Sequence, residues 1–345
     1  LHAVTLSLDD YDFDLPEALI AQRPADVRAG SRLLVWPAAG PLQSMRFTDL
    51  PSLLREGDLL VLNDTRVFAA RLYGVRVQGA GKVELLLVSG TGSKFEALVR
   101  PGRKLRPGSR VLLDGGVEVE VGDAVAPGLR RIEFPAGTDV MAHCRAFGHV
   151  PLPPYIKRAD DSVDRERYQT VFARNEGSVA APTAGLHFDS AMLGELERRG
   201  VQSATVTLHV GPGTFRPVED EQLDAGELHP EWRSVSGSTI SALQACRERG
   251  GRVIAVGTTV CRSLESIPED TDAALSGQTR LMIAPGFRFR FTDVLITNFH
   301  LPRSSLLLLV AAFAGERWRE AYAQAVSEGF RFYSYGDANW IEGTR

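Results

Sequence analysis

Cysteine is scarce in this chain. Its 345 residues include three, Cys144, Cys246 and Cys261, with no C-x-x-C spacing. That excludes a disulfide framework and a cysteine-built zinc site. Long apolar runs are also missing. The longest, Leu306 to Ala314, falls well short of the ~20 residues that cross a bilayer, so no membrane partner is expected. Leu1 to Asp10 lacks the basic start and apolar centre of a signal peptide, which makes the cytoplasm the expected compartment. Several catalytic signatures are absent as well. Without G-x-S-x-G there is no nucleophile elbow, and without H-E-x-x-H or H-x-H no metal site is expected. Gly211-Pro212-Gly213-Thr214-Phe215 has a proline between its glycines and no helical pattern after it, so it is not a dinucleotide or methyltransferase fingerprint.

Net charge is small, at −4, but it is unevenly spread. Arg66 to Arg110 holds ten Lys/Arg against Glu84 and Glu96, a net +8 that leaves −12 on the remainder. Such asymmetry fits a polyanion partner for one module, and equally a strand-rich domain that solubilises its edges with Lys and Arg. The length exceeds one ordinary core and fits two domains.

The residue pattern predicts a short helix over Leu15 to Gln22 and a buried strand in Gly57-Asp58-Leu59-Leu60-Val61-Leu62-Asn63-Asp64. From about Arg66 to His143, short alternating runs are punctuated by Gly, Pro and Asp, the spacing of a small antiparallel barrel. A helix follows from Asp139 to Phe147, and Pro151 to Tyr155 reads as a stiff linker. Helices and strands alternate beyond it. Asp189 caps a helix ending near Gly200, Ser203 to His209 is a strand, and a helix spans Thr239 to Arg249. Strands at Arg252 to Val256 and Val294 to Thr297 precede further helices, and a last strand is expected near Phe330 to Tyr333. The expected fold is α/β with two domains: a discontinuous α/β catalytic domain, 1–65 and 149–345, and an inserted β-barrel domain, 66–148.

Two loops place histidine beside glycine: Ala181-Pro182-Thr183-Ala184-Gly185-Leu186-His187-Phe188 and Thr207-Leu208-His209-Val210-Gly211. Histidine changes charge near neutral pH, and glycine lets a ligand approach the backbone. The pair therefore reads as two walls of one pocket. Five of seven histidines (His149, His187, His209, His229, His300) fall in loops rich in glycine or proline, although each alone is equally a half-buried structural residue. Gly257-Thr258-Thr259, with Arg262 one turn on, reads as an anion-binding helix start or as an ordinary threonine cap. Cys144 and Cys261 lie in amphipathic helical segments and are expected to be buried rather than nucleophilic. Phe287-Arg288-Phe289-Arg290-Phe291 alternates like a strand whose basic face meets solvent or nucleic acid.

Several long motifs occur in one order: Asn63-Asp64-Thr65-Arg66, Gly148-His149-Val150-Pro151-Leu152-Pro153-Pro154-Tyr155, the two histidine loops, Ala255-Val256-Gly257-Thr258-Thr259, Thr297-Asn298-Phe299-His300-Leu301-Pro302 and Ser334-Tyr335-Gly336-Asp337-Ala338. In these the chain resembles the S-adenosylmethionine:tRNA ribosyltransferase-isomerase family of queuosine biosynthesis, over nearly its whole length. The resemblance implies transfer and isomerisation of the ribosyl group of S-adenosylmethionine onto 7-aminomethyl-7-deazaguanine at the tRNA wobble position. Epoxyqueuosine in tRNA, adenine and methionine would be the products. S-adenosylmethionine is then a consumed co-substrate, with no permanently bound cofactor and no metal. The partner is a tRNA with a GUN-type anticodon carrying the deazaguanine precursor, and the chain is expected to act as a monomer.

Within that family the candidate acid/base groups are His187, His209, His229 and His300, with His187 and His209 first, and Glu231 as a catalytic carboxylate beside Asp189 and Asp337. Candidate substrate contacts are Thr183, Gly185, Gly211, Gly213, Thr214, Gly257, Thr258, Thr259, Arg262, Asn298, Tyr335 and Asp337. Arg66, Arg71, Arg100, Arg103, Lys104 and Arg106 are candidate RNA phosphate contacts. The chain departs from the family pattern at Val260-Cys261, at Ala284, where an aromatic usually precedes the proline, and in Pro302-Arg303-Ser304-Ser305, which has serine for a usual threonine. No departure removes a charged group, and the wall around Ala284 is expected to be roomier. The competing classes are a non-catalytic RNA-binding or assembly protein and a hydrolase.

Overall fold

The computed structural model describes residues 6–211, 213, 218–269, 271 and 273–343. Strands β1 (Arg32–Trp36), β2 (Gln43–Arg46) and β3 (Leu59–Asn63) come first, then the short β4 (Thr65–Val67). Next are β5 (Arg71–Arg76), β6 (Lys82–Thr91), β7 (Lys94–Arg100), β8 (Ser109–Leu113), β9 (Glu118–Ala126) and β10 (Leu129–Glu133), followed by helix α1 (Val140–Phe147). The remainder alternates: α2 (Ser162–Arg167), β11 (Asn175–Ser178), α3 (Ser190–Arg198), β12 (Gln202–Leu208), α4 (Asp220–Ala225), β13 (Glu227–Val235), α5 (Gly237–Glu248), β14 (Val253–Val256), α6 (Thr258–Glu265), β15 (Leu275–Leu281), β16 (Val294–Asn298), α7 (Ser305–Ala314), α8 (Arg317–Ser327) and β17 (Ala338–Glu342). No helix among the described residues is long and apolar enough to cross a membrane.

Nine strands form one sheet in the order β15-β13-β12-β3-β14-β16-β17-β1-β2. The central β12, β3, β14 and β16 run parallel, and antiparallel pairs flank them. β3, β14 and β16 are buried at every position, as apolar runs covered on both faces should be. Alternate residues serve opposite layers. Leu59 and Val61 pack with Leu243, Leu264 and Leu309 of the helical layer, whereas Leu60 and Leu62 pack with Phe188, Met192 and Leu196. α7 is apolar all round and accordingly sits in the core.

β5 to β10 close into an antiparallel barrel with its own core, including Leu85, Ala97, Val111 and Val121. α1 is tied to its entrance where Gly148 passes the carbonyl of Ala69 so closely that a Cβ there would lie 2.0 Å from that oxygen. The N-caps behave as the residue types imply, with Asp189 accepting from the Met192 amide and Ser304 from the Leu307 amide.

Three expected elements are not formed. The segment expected as a helix over Leu15 to Gln22 makes only a single 3-10 turn, Glu17–Leu19, because its backbone is bound elsewhere. The Ala21 amide donates to the Phe332 carbonyl, and the Phe332 amide donates to the Leu19 carbonyl. That contact is also all that forms of the strand expected near Phe330 to Tyr333, and the last strand is instead β17, inside the sheet between β16 and β1. The Phe287 to Phe291 alternation is no strand either. The amides of Arg290, Phe291 and Thr292 all donate to the buried Glu265 carboxylate, so they are unavailable to a ladder. Its three phenylalanines pack onto the core.

Candidate active site

The carboxyl ends of β14 and β16 open onto a cavity of about 720 Å³, the place where open α/β sheets bind ligands. Gly257, Thr258 and Thr259 form one wall, and Thr297, Asn298, Phe299 and His300 form another. Thr183, Tyr155, Tyr333 and Ser334 line it as well, and Leu6 to Asp9 lie across it. Gly257 has φ 100° and ψ 152°, a conformation reserved essentially for glycine, and from it the chain turns straight from strand into helix.

Asn298 is buried, and its orientation is defined by two contacts. Its amide nitrogen donates to the Tyr333 carbonyl at 3.1 Å and contacts His187 Nε2 at 3.1 Å. Its Oδ1 has no partner among the described residues, which leaves a buried acceptor on the cavity wall. The Tyr333 hydroxyl is likewise buried without a partner among the described residues. Its backbone lies at φ 72°, and its ring centroid is 4.1 Å from that of Tyr155 with the rings tilted by 38°. His300 Nε2 meets Thr297 Oγ1 at 2.8 Å, so Nδ1 is the nitrogen left for a ligand. Burial pushes the His300 pKa down to about 3, and the ring is neutral at physiological pH.

A second cavity of about 280 Å³ adjoins the first, sharing Val218, Thr258, Thr259 and Leu306 with it. Gly211, Gly213, His229, Glu231 and Arg262 line one side, and Val88, Leu98, Ala126, Pro127 and Leu129 of the barrel line the other. Glu231 and Arg262 are buried and form an ion pair through Oε2 and Nη1. Glu231 Oε1 also accepts from the Gly211 amide, and Arg262 Nε donates to the Leu281 carbonyl. Arg262 Nη2 has no acceptor among the described residues.

The sequence-derived candidates therefore separate. Thr183, Gly257, Thr258, Thr259, Asn298 and His300 line the first cavity, and Gly211, Gly213, His229, Glu231 and Arg262 the second. His229 stands on β13 and not in a loop. Thr214 lies outside the described residues. His187, His209, Gly185, Tyr335 and Asp337 line neither cavity. His187 lies behind Asn298, with Nδ1 on Ser31 Oγ at 2.8 Å, and burial, aided by Arg331, pushes its pKa down to about 3. His209 stacks on Trp232 and holds Thr65 Oγ1 at 2.8 Å; burial lowers its pKa and Asp64 opposes that. Gly185 lies under Phe172, Tyr335 donates to Asp164, and Asp337 accepts from the Arg32 and Arg331 amides.

Tyr155, Tyr333, Ser334 and the stretch from Leu6 to Asp9 were not anticipated at the cavity. The Pro151 to Tyr155 segment is a wall more than a linker, with Leu152 and Ile156 buried and Tyr155 on the cavity. The only sequence signal for it was the proline-rich motif itself. All three cysteines are buried. Burial takes the Cys144 thiol up to about 12 and raises Cys261 and Cys246 too, so none is a ready nucleophile.

Of the basic residues, Arg66, Arg100, Arg103, Lys104 and Arg106 are exposed. Arg71 is half-buried, paired with Glu84 at 3.5 Å and donating to the Leu152 carbonyl, and so ties barrel to wall. No group of three His, Cys, Asp or Glu suited to a metal ion occurs among the described residues.

An open α/β sheet, with cavities at its strand ends and a barrel forming one wall, defines an enzyme of the α/β class with an inserted β-barrel. The family model described as queuosine biosynthesis protein matches residues 8–341. The chain is 51% identical over 339 residues to an S-adenosylmethionine:tRNA ribosyltransferase-isomerase of Thiobacillus denitrificans, covering 96% of each. It is 50% identical to the protein of the same name from Xanthomonas oryzae pv. oryzae, covering 95% of each. The crystal structure of an S-adenosylmethionine tRNA ribosyltransferase from Thermotoga maritima is similar to it at a TM-score of 0.56 and 34% identity, covering 96% of this chain and 99% of that one. The chain belongs to the queuosine biosynthesis protein family.

Proposed function

We propose that the chain is an S-adenosylmethionine:tRNA ribosyltransferase-isomerase. It transfers the ribosyl group of S-adenosylmethionine to 7-aminomethyl-7-deazaguanine at the wobble position of a tRNA with a GUN-type anticodon. Epoxyqueuosine in tRNA, adenine and methionine are the products. The observation that carries this assignment is the 51% identity over 339 residues to a relative of that name. The two adjoining cavities supply what a two-substrate reaction requires. In this scheme residues 66–148 are an RNA-facing domain inserted into the catalytic domain, and the enzyme works as a cytoplasmic monomer without metal or resident cofactor.

The chemistry begins with transfer of a proton to a general base from the carbon next to the sulfonium, which the positive sulfur acidifies. The resulting ylide opens the ribose and expels adenine. S-adenosylmethionine occupies the larger cavity. There the neutral His300 ring accepts hydrogen bonds without repelling a sulfonium. Asn298 Oδ1 accepts from a donor of the substrate, such as an exocyclic amine. His187, held between Ser31 and Asn298, is a positioning residue for that amide. His209 positions the turn at Thr65. The exposed Arg66, Arg100, Arg103, Lys104 and Arg106 contact tRNA phosphates.

Incubating the protein with S-adenosylmethionine and tRNA carrying the deazaguanine precursor should release free adenine and methionine. His300→Ala should reduce that release severely with the fold intact. A wild-type protein that binds tRNA and leaves S-adenosylmethionine unconsumed would instead identify a non-catalytic RNA-binding protein.

A further inference from the structure

The second cavity, which adjoins the larger one, is built from unusual parts. Along β7, Phe95, Ala97 and Val99 point into the barrel, which places Leu98 on the outer face among Glu96 and Arg100. Leu129 pairs with Leu98 across the strands, and Val88, Ala126 and Pro127 complete an apolar patch on the outside of an otherwise basic module. Facing it across the cavity is the buried Glu231–Arg262 pair, with Arg262 Nη2 unpartnered among the described residues. An apolar wall opposite a donor and an acceptor side by side suits a flat heterocycle with a polar edge.

The electrostatics exclude the obvious alternative. An isolated buried arginine would attract the carboxylate of an amino acid, but here Glu231 already neutralises Arg262, and a second carboxylate would meet a like charge. A neutral edge carrying one acceptor beside two donors meets no such penalty. The Watson–Crick edge of a guanine-type base has that pattern: an O6 acceptor, then N1–H and a 2-amino donor.

We infer that the second cavity is the subsite for the unstacked wobble base, an assignment that rests on the ribosyl-transfer function proposed above. Arg262 donates to O6, and the Glu231 carboxylate, which can accept several hydrogen bonds, takes N1–H and the 2-amino group. The base lies against Leu98 and Leu129. Its adjoining Hoogsteen edge, with the aminomethyl nucleophile on C7, faces the Thr258 and Thr259 wall shared with the larger cavity, so the reacting partners meet there. The barrel thus supplies one side of the base pocket as well as phosphate contacts.

The test is steady-state adenine release with an anticodon stem-loop carrying either the precursor base or its analogue lacking the 2-amino group. Wild-type protein should lose about tenfold to 100-fold in kcat/KM with the analogue. Glu231→Gln should be slow with both and discriminate between them poorly. Leu129→Trp, on the outer face of the barrel and outside its core, keeps the test open should the buried variant fail to fold. It should raise KM for the stem-loop at least tenfold and leave KM for S-adenosylmethionine unchanged. A rise in KM for S-adenosylmethionine in either variant, with discrimination intact, would overturn the subsite and assign the pair to the methionine end. Absence of adenine from the wild type with the true precursor would instead remove the ribosyl-transfer function, and the subsite with it.

Discussion

His187 and His300 are both buried and both held neutral, which gives the protein a specific acid sensitivity. Their folded pKa values are about 3, whereas an unfolded histidine titrates near 6.5. Above that value neither state is protonated and stability is unaffected. As pH falls below it, the unfolded chain takes up protons the folded protein refuses, so stability is lost. Each histidine should remove about 1.4 kcal/mol per pH unit between roughly pH 6 and 4. Urea titrations over this window should show the slope, and His187→Gln should reduce it by one histidine's share; an unchanged slope would contradict the burial argument. Asn298→Ala removes the cavity-facing Oδ1 acceptor together with the amide bond to the Tyr333 carbonyl, and KM for S-adenosylmethionine should rise at least about tenfold, with KM for tRNA unmoved in the same assay. The residue types at the site were legible, since histidines beside glycines, Gly-Thr-Thr and Asn-Phe-His all fall at or next to a cavity. Which way each side chain faces was not. His187 and His300 occupy similar loops, yet Ser31 and Asn298 enclose one, while the other borders open space.

Elements set where those side chains can stand. α6 starts directly at the end of β14 because Gly257 adopts a backbone that other residues reach only under strain. Gly257→Ala should therefore destabilise the fold by about 1–3 kcal/mol. Gly211 has no positive φ, and a Cβ added there would meet no atom of the described residues within 4 Å, so Gly211→Ala should leave unfolding midpoints nearly unchanged. Comparing the two by urea unfolding separates backbone constraint from mere proximity to a cavity. Fully buried strands and capped helices were readable, because apolar runs and N-cap residues are local signals. The misread elements share one cause. Leu15 to Gln22, Phe287 to Phe291 and Phe330 to Tyr333 all have backbone or side-chain partners far away in sequence, and those partners replaced the local preference.

At the scale of the molecule, charge and shape divide the labour. The exposed cluster of Arg103, Lys104 and Arg106 around the 3-10 turn Gly102–Lys104 lies on the barrel and lines neither cavity. Replacing all three with serine should weaken tRNA binding and lower the slope of log K against log salt by about 2–3. Exposed side chains rarely support a core, so stability should shift by no more than about 0.5 kcal/mol. Filter binding at several salt concentrations measures the first, and thermal melting the second.

The sequence alone determined the α/β class, the barrel within it, the uneven charge and the identity of the polar groups, because periodicity, turn residues and composition are written locally. The tertiary structure decided which of those groups share a cavity. Tyr333 on the first cavity and the outer face of the barrel on the second come from segments far from the loops they face. A residue becomes a wall only when long-range packing leaves space beside it, and that space belongs to no single stretch of sequence.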